Sequence, residues 1–289
     1  MKMQGGGLMN IGAGQFTDDS ELAMCQINAL KSKKPVNGMP HDELLMWYRR
    51  WANEGPFDIG STTAHALWLD KNLTTKEHIT RVSHENANSK SNGSLMRMTP
   101  ICVWTRNLTL EKKLEYFRKD SQLTHPNPVV LDACCAYGLA VSNLIKSQGD
   151  VVQTLSLVED WLQSNASQEV NEWFAESKMK NLEKFEVQRQ KGFVRWGFTL
   201  AFYCLRNNLD YKTAIEQTLR LGGDTDTNAA IVGGMIGAQV GIDQIPTNYV
   251  NKMINYIFKN NDVIGYQRPD YLVPRNLKSW IIELFNNSI

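Results

Sequence analysis

Apolar residues along this chain recur at intervals of three and four almost throughout. After the polar cluster Thr17-Asp18-Asp19, the residues Leu22, Cys25, Ala29 and Leu30 fall on one helical face. The same spacing predicts further helices over about 41–53, 61–72, 93–103, 109–120, 126–147, 150–161, 191–207, 211–221, 226–240 and 276–287. Two-residue alternation of the kind a half-buried strand needs is scarce. An all-α chain is therefore expected, not a sheet flanked by helices. Turn chemistry falls between the periodic runs, at Pro35-Val36-Asn37-Gly38, Gly55-Pro56, Ser89 to Gly93, His125-Pro126-Asn127-Pro128 and Leu221-Gly222-Gly223-Asp224. None of these is long enough to link two domains, so residues 1–289 are expected to form a single compact multi-helix domain. The most polar stretch, about 163–191, is expected to leave the core as a surface excursion and return at Gly192-Phe193-Val194-Arg195-Trp196.

Composition narrows the partners. With 42% apolar residues the chain can bury a large core, and a net charge of +1 offers no polybasic field for nucleic acid or anionic lipid. A small molecule or another protein is the expected partner, and the chain is taken as a monomer. The five cysteines are odd in number and form no C-x-x-C pair, which suggests reduced thiols and a cytoplasmic location. No apolar h-region follows Met1, and the weakly polar run Ala229 to Val240 is short and glycine-rich, so neither export nor membrane insertion is expected.

Two acidic motifs carry the candidate chemistry. Thr17-Asp18-Asp19 and Asp224-Thr225-Asp226-Thr227 each precede an apolar-periodic run, so either one alone reads as a helix N-terminus capped by carboxylates. Their combination changes that reading. No Lys or Arg lies between Ile11 and Leu30, or between Leu221 and Asn251, so neither cluster has a counterion nearby in sequence. Carboxylate and hydroxyl oxygens suit Mg²⁺ or Mn²⁺, whereas the His and Cys that would favour zinc are absent from both motifs. In an extended approach to a helix, Asp224 and Asp226 point the same way and can share an ion.

These motifs, within Gly14-Gln15-Phe16-Thr17-Asp18-Asp19-Ser20 and Leu221-Gly222-Gly223-Asp224-Thr225-Asp226-Thr227, together with Ser91-Asn92-Gly93-Ser94-Leu95-Met96-Arg97-Met98-Thr99-Pro100, Thr124-His125-Pro126 and Gly55-Pro56-Phe57-Asp58-Ile59-Gly60-Ser61-Thr62-Thr63, resemble the ADP-ribosylglycohydrolase family, in its order. They are similar to bacterial members related to dinitrogenase reductase-activating glycohydrolase. The resemblance implies an all-helical fold with two Mg²⁺ (or Mn²⁺) ions at the base of an ADP-ribose cleft. It implies hydrolysis of the bond joining C1″ of the distal ribose to a protein side chain, with arginine favoured. Carried over by position, the metal ligands would be Thr17, Asp18, Asp19, Asp224, Asp226 and Thr227, and the catalytic carboxylates Asp58, Asp19 and Asp224. Bound cations of this kind orient substrate, act as Lewis acids and help deprotonate water. ADP-ribose or an ADP-ribosylated protein would be the partner.

Backbone N–H groups of Ser91, Asn92, Gly93 and Ser94, which lead into an apolar run, would receive the diphosphate, with His125 as a further phosphate contact. The plain alternatives are a glycine turn capped by Ser94, a loop or core histidine at 125, and a turn residue at Asp58. His41, His65, His78 and His84 show no metal spacing and are expected on helix surfaces, while Trp47 and Trp51 read as a core stripe. Family members usually open with a helix bearing a Gly-Asp-x-x-Gly pattern several turns before Thr-Asp-Asp; sixteen residues precede Thr17 here, so the N-terminus is expected to be short by that measure. Two other readings stay open: an ADP-ribose-binding protein with weak or no turnover, and a two-metal phosphohydrolase.

Overall fold

Helix-forming signals of the ordinary kind set most of the elements. In the computed structural model, which describes residues 3–7, 9–259, 262 and 264–288, the described residues form fourteen α-helices. These are α1 Asp18–Leu30, α2 His41–Asn53, α3 Ser61–Leu67, α4 Thr75–Glu85, α5 Thr99–Thr105, α6 Leu110–Gln122 and α7 Pro128–Lys146. They continue as α8 Val151–Asn165, α9 Gln168–Glu176, α10 Val194–Arg206, α11 Tyr211–Arg220, α12 Thr225–Val240, α13 Thr247–Ile254 and α14 Leu277–Asn287. Side chains of Thr74, Thr109, Asp150 and Asp210 accept hydrogen bonds from first-turn N–H groups of α4, α6, α8 and α11.

The long helix α7 is the axis of the molecule. Pro128 opens it, where a missing N–H costs nothing, and the Asn127 side chain caps Val129 N–H. From Val130 to Leu144 nearly every side chain is buried, because α5, α6, α8, α9, α10 and α12 pack around it. Each fully buried Leu or Val there contributes roughly 1.5–3 kcal/mol. By length and composition α7 could cross a membrane, but 78% of its apolar window is buried inside the fold, as befits a core helix. Helix α12 packs on α10, α11 and α7, and α1 packs on α2, α5 and α14. A further contact between α1 and α12 sets their N-termini side by side.

Several expectations change. The helix expected over 93–103 begins only at Thr99; residues 93–97 form turns, and Pro100 cannot donate the bond back to residue 96 that a continuous helix requires. Residues 163–191 do not leave the core. They contain α9, and Val170, Trp173, Phe174, Phe185 and Val187 are buried, so exposure is concentrated at 178–184 and 188–191. His78 is buried instead of lying on a helix surface: Nε2 faces the Leu123 carbonyl at 2.8 Å and Nδ1 faces Arg49 at 3.0 Å. Of the expected core stripe, Trp51 is fully buried, whereas Trp47 is partly buried and packs against the core with its ring 5.2 Å from that of Tyr271.

Candidate functional site

The two acidic motifs, distant in sequence, touch in space. The Thr17 hydroxyl donates to Asp19 Oδ2 at 2.8 Å and approaches Asp226 Oδ2 at 3.3 Å, across 209 residues of chain. Neither Thr17 nor Asp224, the N-cap residues of α1 and α12, uses its side chain to cap its own helix. Capping alone therefore does not account for them. Asp224 instead faces a cleft of about 260 Å³ that is lined also by Asp18, Asp58, Asp226, Thr227, Asn92, Gly93 and Ser91, with Thr62, Thr63, Lys191 and Gly192 among the remaining walls. Thr17 and Asp19 lie just beneath this lining, 7% and 3% exposed.

The electrostatics are those of crowded like charges. Burial, then Asp19, Asp58, Asp226 and Asp224, raise the Asp18 carboxyl well above the usual carboxylate range. Asp19 is raised in the same direction by burial and then by Asp226, against the opposing hydrogen bond from Thr17. Burial first, and then Asp226 and Asp224, raise Asp58. Asp224 is also raised, chiefly by burial, although Asn92 Nδ2 donates to its Oδ2 at 2.8 Å. Among the described residues none of these carboxylates is ion-paired with Lys or Arg. Among the described residues Asp19 Oδ1 is buried with no hydrogen-bond partner, the kind of group that native structures rarely leave unsatisfied.

An orphaned buried carboxylate oxygen, unpaired acidic neighbours and two threonine hydroxyls fit a hard divalent cation. Among the described residues no three His, Cys, Asp or Glu side chains enclose an ion by themselves. Mg²⁺, which keeps several waters and takes one or two carboxylates, does not demand such a cage. The residues that could hold it are Thr17, Asp18, Asp19, Asp224, Asp226 and Thr227.

Glu21, next to the first motif, has a different fate. It is 1% exposed, receives Trp51 Nε1 at 2.6 Å, and is held by Arg268 through Nε at 2.7 Å and the second amino group at 2.9 Å. Burial still outweighs Arg268 and raises its carboxyl. Arg268 also donates to the Gly55 carbonyl at 3.1 Å, and Tyr266 stacks on Phe57 with centroids 4.3 Å apart and planes 7° from parallel. The C-terminal segment thus holds the loop that carries Asp58 to the cleft.

Two residues expected to meet substrate lie behind the wall. His125 is fully buried, its Nε2 2.9 Å from Ser91 Oγ and its Nδ1 2.7 Å from Thr124 Oγ1, and burial lowers it to about 3, so the ring is neutral. It steadies Ser91 and does not line the cleft. Ser94 is also fully buried, accepting from Ser121 Oγ at 2.8 Å, because the turn after Gly93 aims residue 94 inward. Gly93 has no room for a side chain: a Cβ would stand 2.8 Å from His125 Cε1 and 2.9 Å from Thr63 Oγ1. Underneath, the buried Arg97 donates to the Gly93 carbonyl at 3.4 Å and pairs with buried Asp120 at 3.1 Å. Sequence reading missed this support, as it missed Lys191 and Arg268; Arg97 and Gly192 lie within runs named above, but with no role at the cleft.

The site is an acidic cleft between two helix N-termini, set in an all-helical domain. The comparisons then give the family: the ADP-ribosylglycohydrolase family model matches residues 2–270, and the chain belongs to that family. It is similar to the ADP-ribosyl-dinitrogen reductase glycohydrolase of Rhodospirillum rubrum, 24% identical over 87% of this chain and 78% of that protein. It is also similar to the ADP-ribosylarginine hydrolase Tri1 of Pseudomonas putida, 27% identical over 87% of this chain and 66% of that protein. A solved structure titled ADP-ribosylglycohydrolase-related protein complex shares the fold with a TM-score of 0.75, at 19% identity, covering all of this chain and 87% of its own.

Proposed function

We propose that this family member is a metal-dependent hydrolase that releases ADP-ribose from a modified side chain, arginine before others, by cleaving the glycosidic bond at C1″ of the distal ribose. The observation that carries this reading is the junction of Thr17 with Asp19 and Asp226 beside the partnerless Asp19 Oδ1. Thr17, Asp18, Asp19, Asp224, Asp226 and Thr227 would hold two Mg²⁺ or Mn²⁺ ions. Bound there, the ions would supply orientation of the ribose hydroxyls and polarisation of the anomeric centre.

The chain's own residues do the rest. Asn92 fixes one oxygen of Asp224 and so sets which face the carboxylate presents to the cleft. Asp58, at the lining and raised by burial and like charge, is suited to exchange a proton at the scissile bond. Gly93, its carbonyl held from behind by Arg97, offers its backbone N–H to the diphosphate, beside the Ser91 side chain that His125 steadies. The preference for arginine is supported by the Tri1 relative, an ADP-ribosylarginine hydrolase by name. All five cysteines are unpaired and buried, which supports a reducing, cytoplasmic setting.

The test is a mass-spectrometric product assay on ADP-ribosylated arginine and serine peptides, with Mg²⁺ and with EDTA. Free ADP-ribose and unmodified arginine peptide, formed only with the metal, are the expected products. AMP or phosphate would instead identify a phosphohydrolase, and tight ADP-ribose binding without turnover a binding protein.

A further inference from the structure

The wall of the acidic cleft includes a basic residue. Among its described lining residues Lys191 is the single lysine or arginine. The same residue lines an adjoining hollow of about 540 Å³, together with Asn88, Lys90, Glu169 and Phe193. Ser91, Lys191 and Gly192 border both spaces, so the two meet at this lysine. Lys90 is already engaged, 2.6 Å from Glu169, whereas Lys191 forms no ion pair among the described residues and is exposed.

The backbone explains how Lys191 comes to stand there. Asn92 N–H donates to the Gly192 carbonyl at 2.9 Å, Val194 N–H donates to the Lys90 carbonyl at 3.0 Å, and Ser91 and Phe193 form an antiparallel bridge. Residues 191 and 192 are thereby fixed beside the Ser91–Gly93 loop. Gly192 adopts φ +78°, and a Cβ there would lie 3.6 Å from Asp224 Oδ2, so its backbone runs close against the acidic wall. A cation on a flexible stem is held where the carboxylates end and the second hollow begins.

That arrangement suits a ligand whose negative charge lies in its middle, between two sugars. We infer that Lys191 is a diphosphate-binding and specificity-determining residue of this cleft, supplying from the α10 side the charge that the backbone of the Ser91–Gly93 loop lacks. The inference rests on the ADP-ribose reading above. It gives the substrate two unlike contacts: carboxylates, through cations, for the ribose hydroxyls, and an ammonium point charge for the phosphates. The competing role for Lys191 is that of a counterion to Asp224 and its neighbours.

Calorimetric titration of ADP-ribose into the full chain in Mg²⁺, with Mg²⁺ titrated separately, distinguishes the two. Lys191→Ala should weaken ADP-ribose binding about tenfold, as expected for loss of one charge-assisted contact. Lys191→Glu should weaken it further, and Lys191→Arg should keep most of it. The salt dependence of ADP-ribose binding should flatten in Lys191→Ala, while Mg²⁺ affinity and Tm stay within error of the wild type. Unchanged ADP-ribose affinity in both the Ala and Glu variants overturns the inference and leaves the ADP-ribose reading standing. A Mg²⁺ affinity that shifts in Lys191→Ala as much as ADP-ribose affinity does overturns it in favour of the counterion. Failure of the wild-type chain to bind ADP-ribose at all overturns both.

Discussion

Asp58 and Asp226 sit in the same cleft but call for different measurements. Asp58 is contributed by a loop, is half-buried, and is raised chiefly by burial and then by Asp226 and Asp224. Asn at this position keeps the shape and the turn-forming capacity but cannot exchange a proton. Asp58→Asn is therefore expected to lower kcat by about tenfold or more while leaving Mg²⁺ and ADP-ribose affinities nearly unchanged, read by steady-state turnover beside calorimetry. Turnover equal to wild type would remove Asp58 from the chemistry. Asp226 faces Thr17 across the junction of α1 and α12. A ligand bound only by the folded state stabilises it by about 2.7 kcal/mol at a hundredfold excess over Kd, so Mg²⁺ should raise Tm in the wild type and not in Asp226→Ala. Equal shifts in both would count against the ligand assignment. At this scale the acidic residues were legible, because carboxylates without local counterions are visible in a sequence. The facing of Ser94 and His125 was not, since it depends on a turn and on the crowding between Gly93, His125 and Thr63.

Elements show a comparable division. The helices with a dense apolar face, such as α2 and α7, follow the three-and-four spacing closely. Those the spacing did not reveal are sparse in buried residues: α4 buries only His78 and Val82, and α13 only Tyr249. Helix α9 buries Val170, Trp173 and Phe174 but lies in a stretch whose overall polarity masks them. The least legible element is the C-terminal segment, whose work is done by contacts 247 residues distant, between Arg268 and Glu21. Glu21 and Arg268 side chains are 1% and 9% exposed. Removing one partner of a buried pair strands the other charge, at a cost of about 3–5 kcal/mol. Arg268→Met is therefore expected to lower urea-unfolding stability by that order, and adding Glu21→Gln should restore much of it. If the double variant is as unstable as the single one, the pair matters through packing and not through charge. Tyr266 on Phe57 and Arg268 on Gly55 tie this segment to the Asp58 loop, so the single variant should also lose turnover beyond its loss of folded protein.

For the molecule as a whole, the convergence of two motifs from opposite ends of the chain could be proposed from unpaired charge, but the walls between them required the fold. That convergence leaves a pH signature. Asp18 and Asp19 are raised from their ordinary value of 3.8 into the neutral range by burial and by neighbouring carboxylates. A raised carboxyl holds its proton more tightly folded than unfolded, so its contribution to stability is full below pH 3.8 and is lost as pH rises through the raised values. His125 works in the opposite sense. Lowered by burial from 6.5 to about 3, it contributes fully above pH 6.5 and loses that contribution as pH falls towards 3. Between pH 6.5 and 8.5 the histidine contribution is therefore constant and the carboxylates govern the trend. In EDTA, Tm is expected to fall across this interval. Divalent cations bind the deprotonated carboxylates and relieve their repulsion, so the Mg²⁺-induced rise in Tm should be larger at pH 8.5 than at pH 6.5. Asp18→Asn removes one titrating group from the cluster and should flatten the EDTA profile. Thermal melts at the two pH values, with and without Mg²⁺, decide the matter: a Mg²⁺ shift independent of pH would mean that the ion binds away from Asp18 and Asp19.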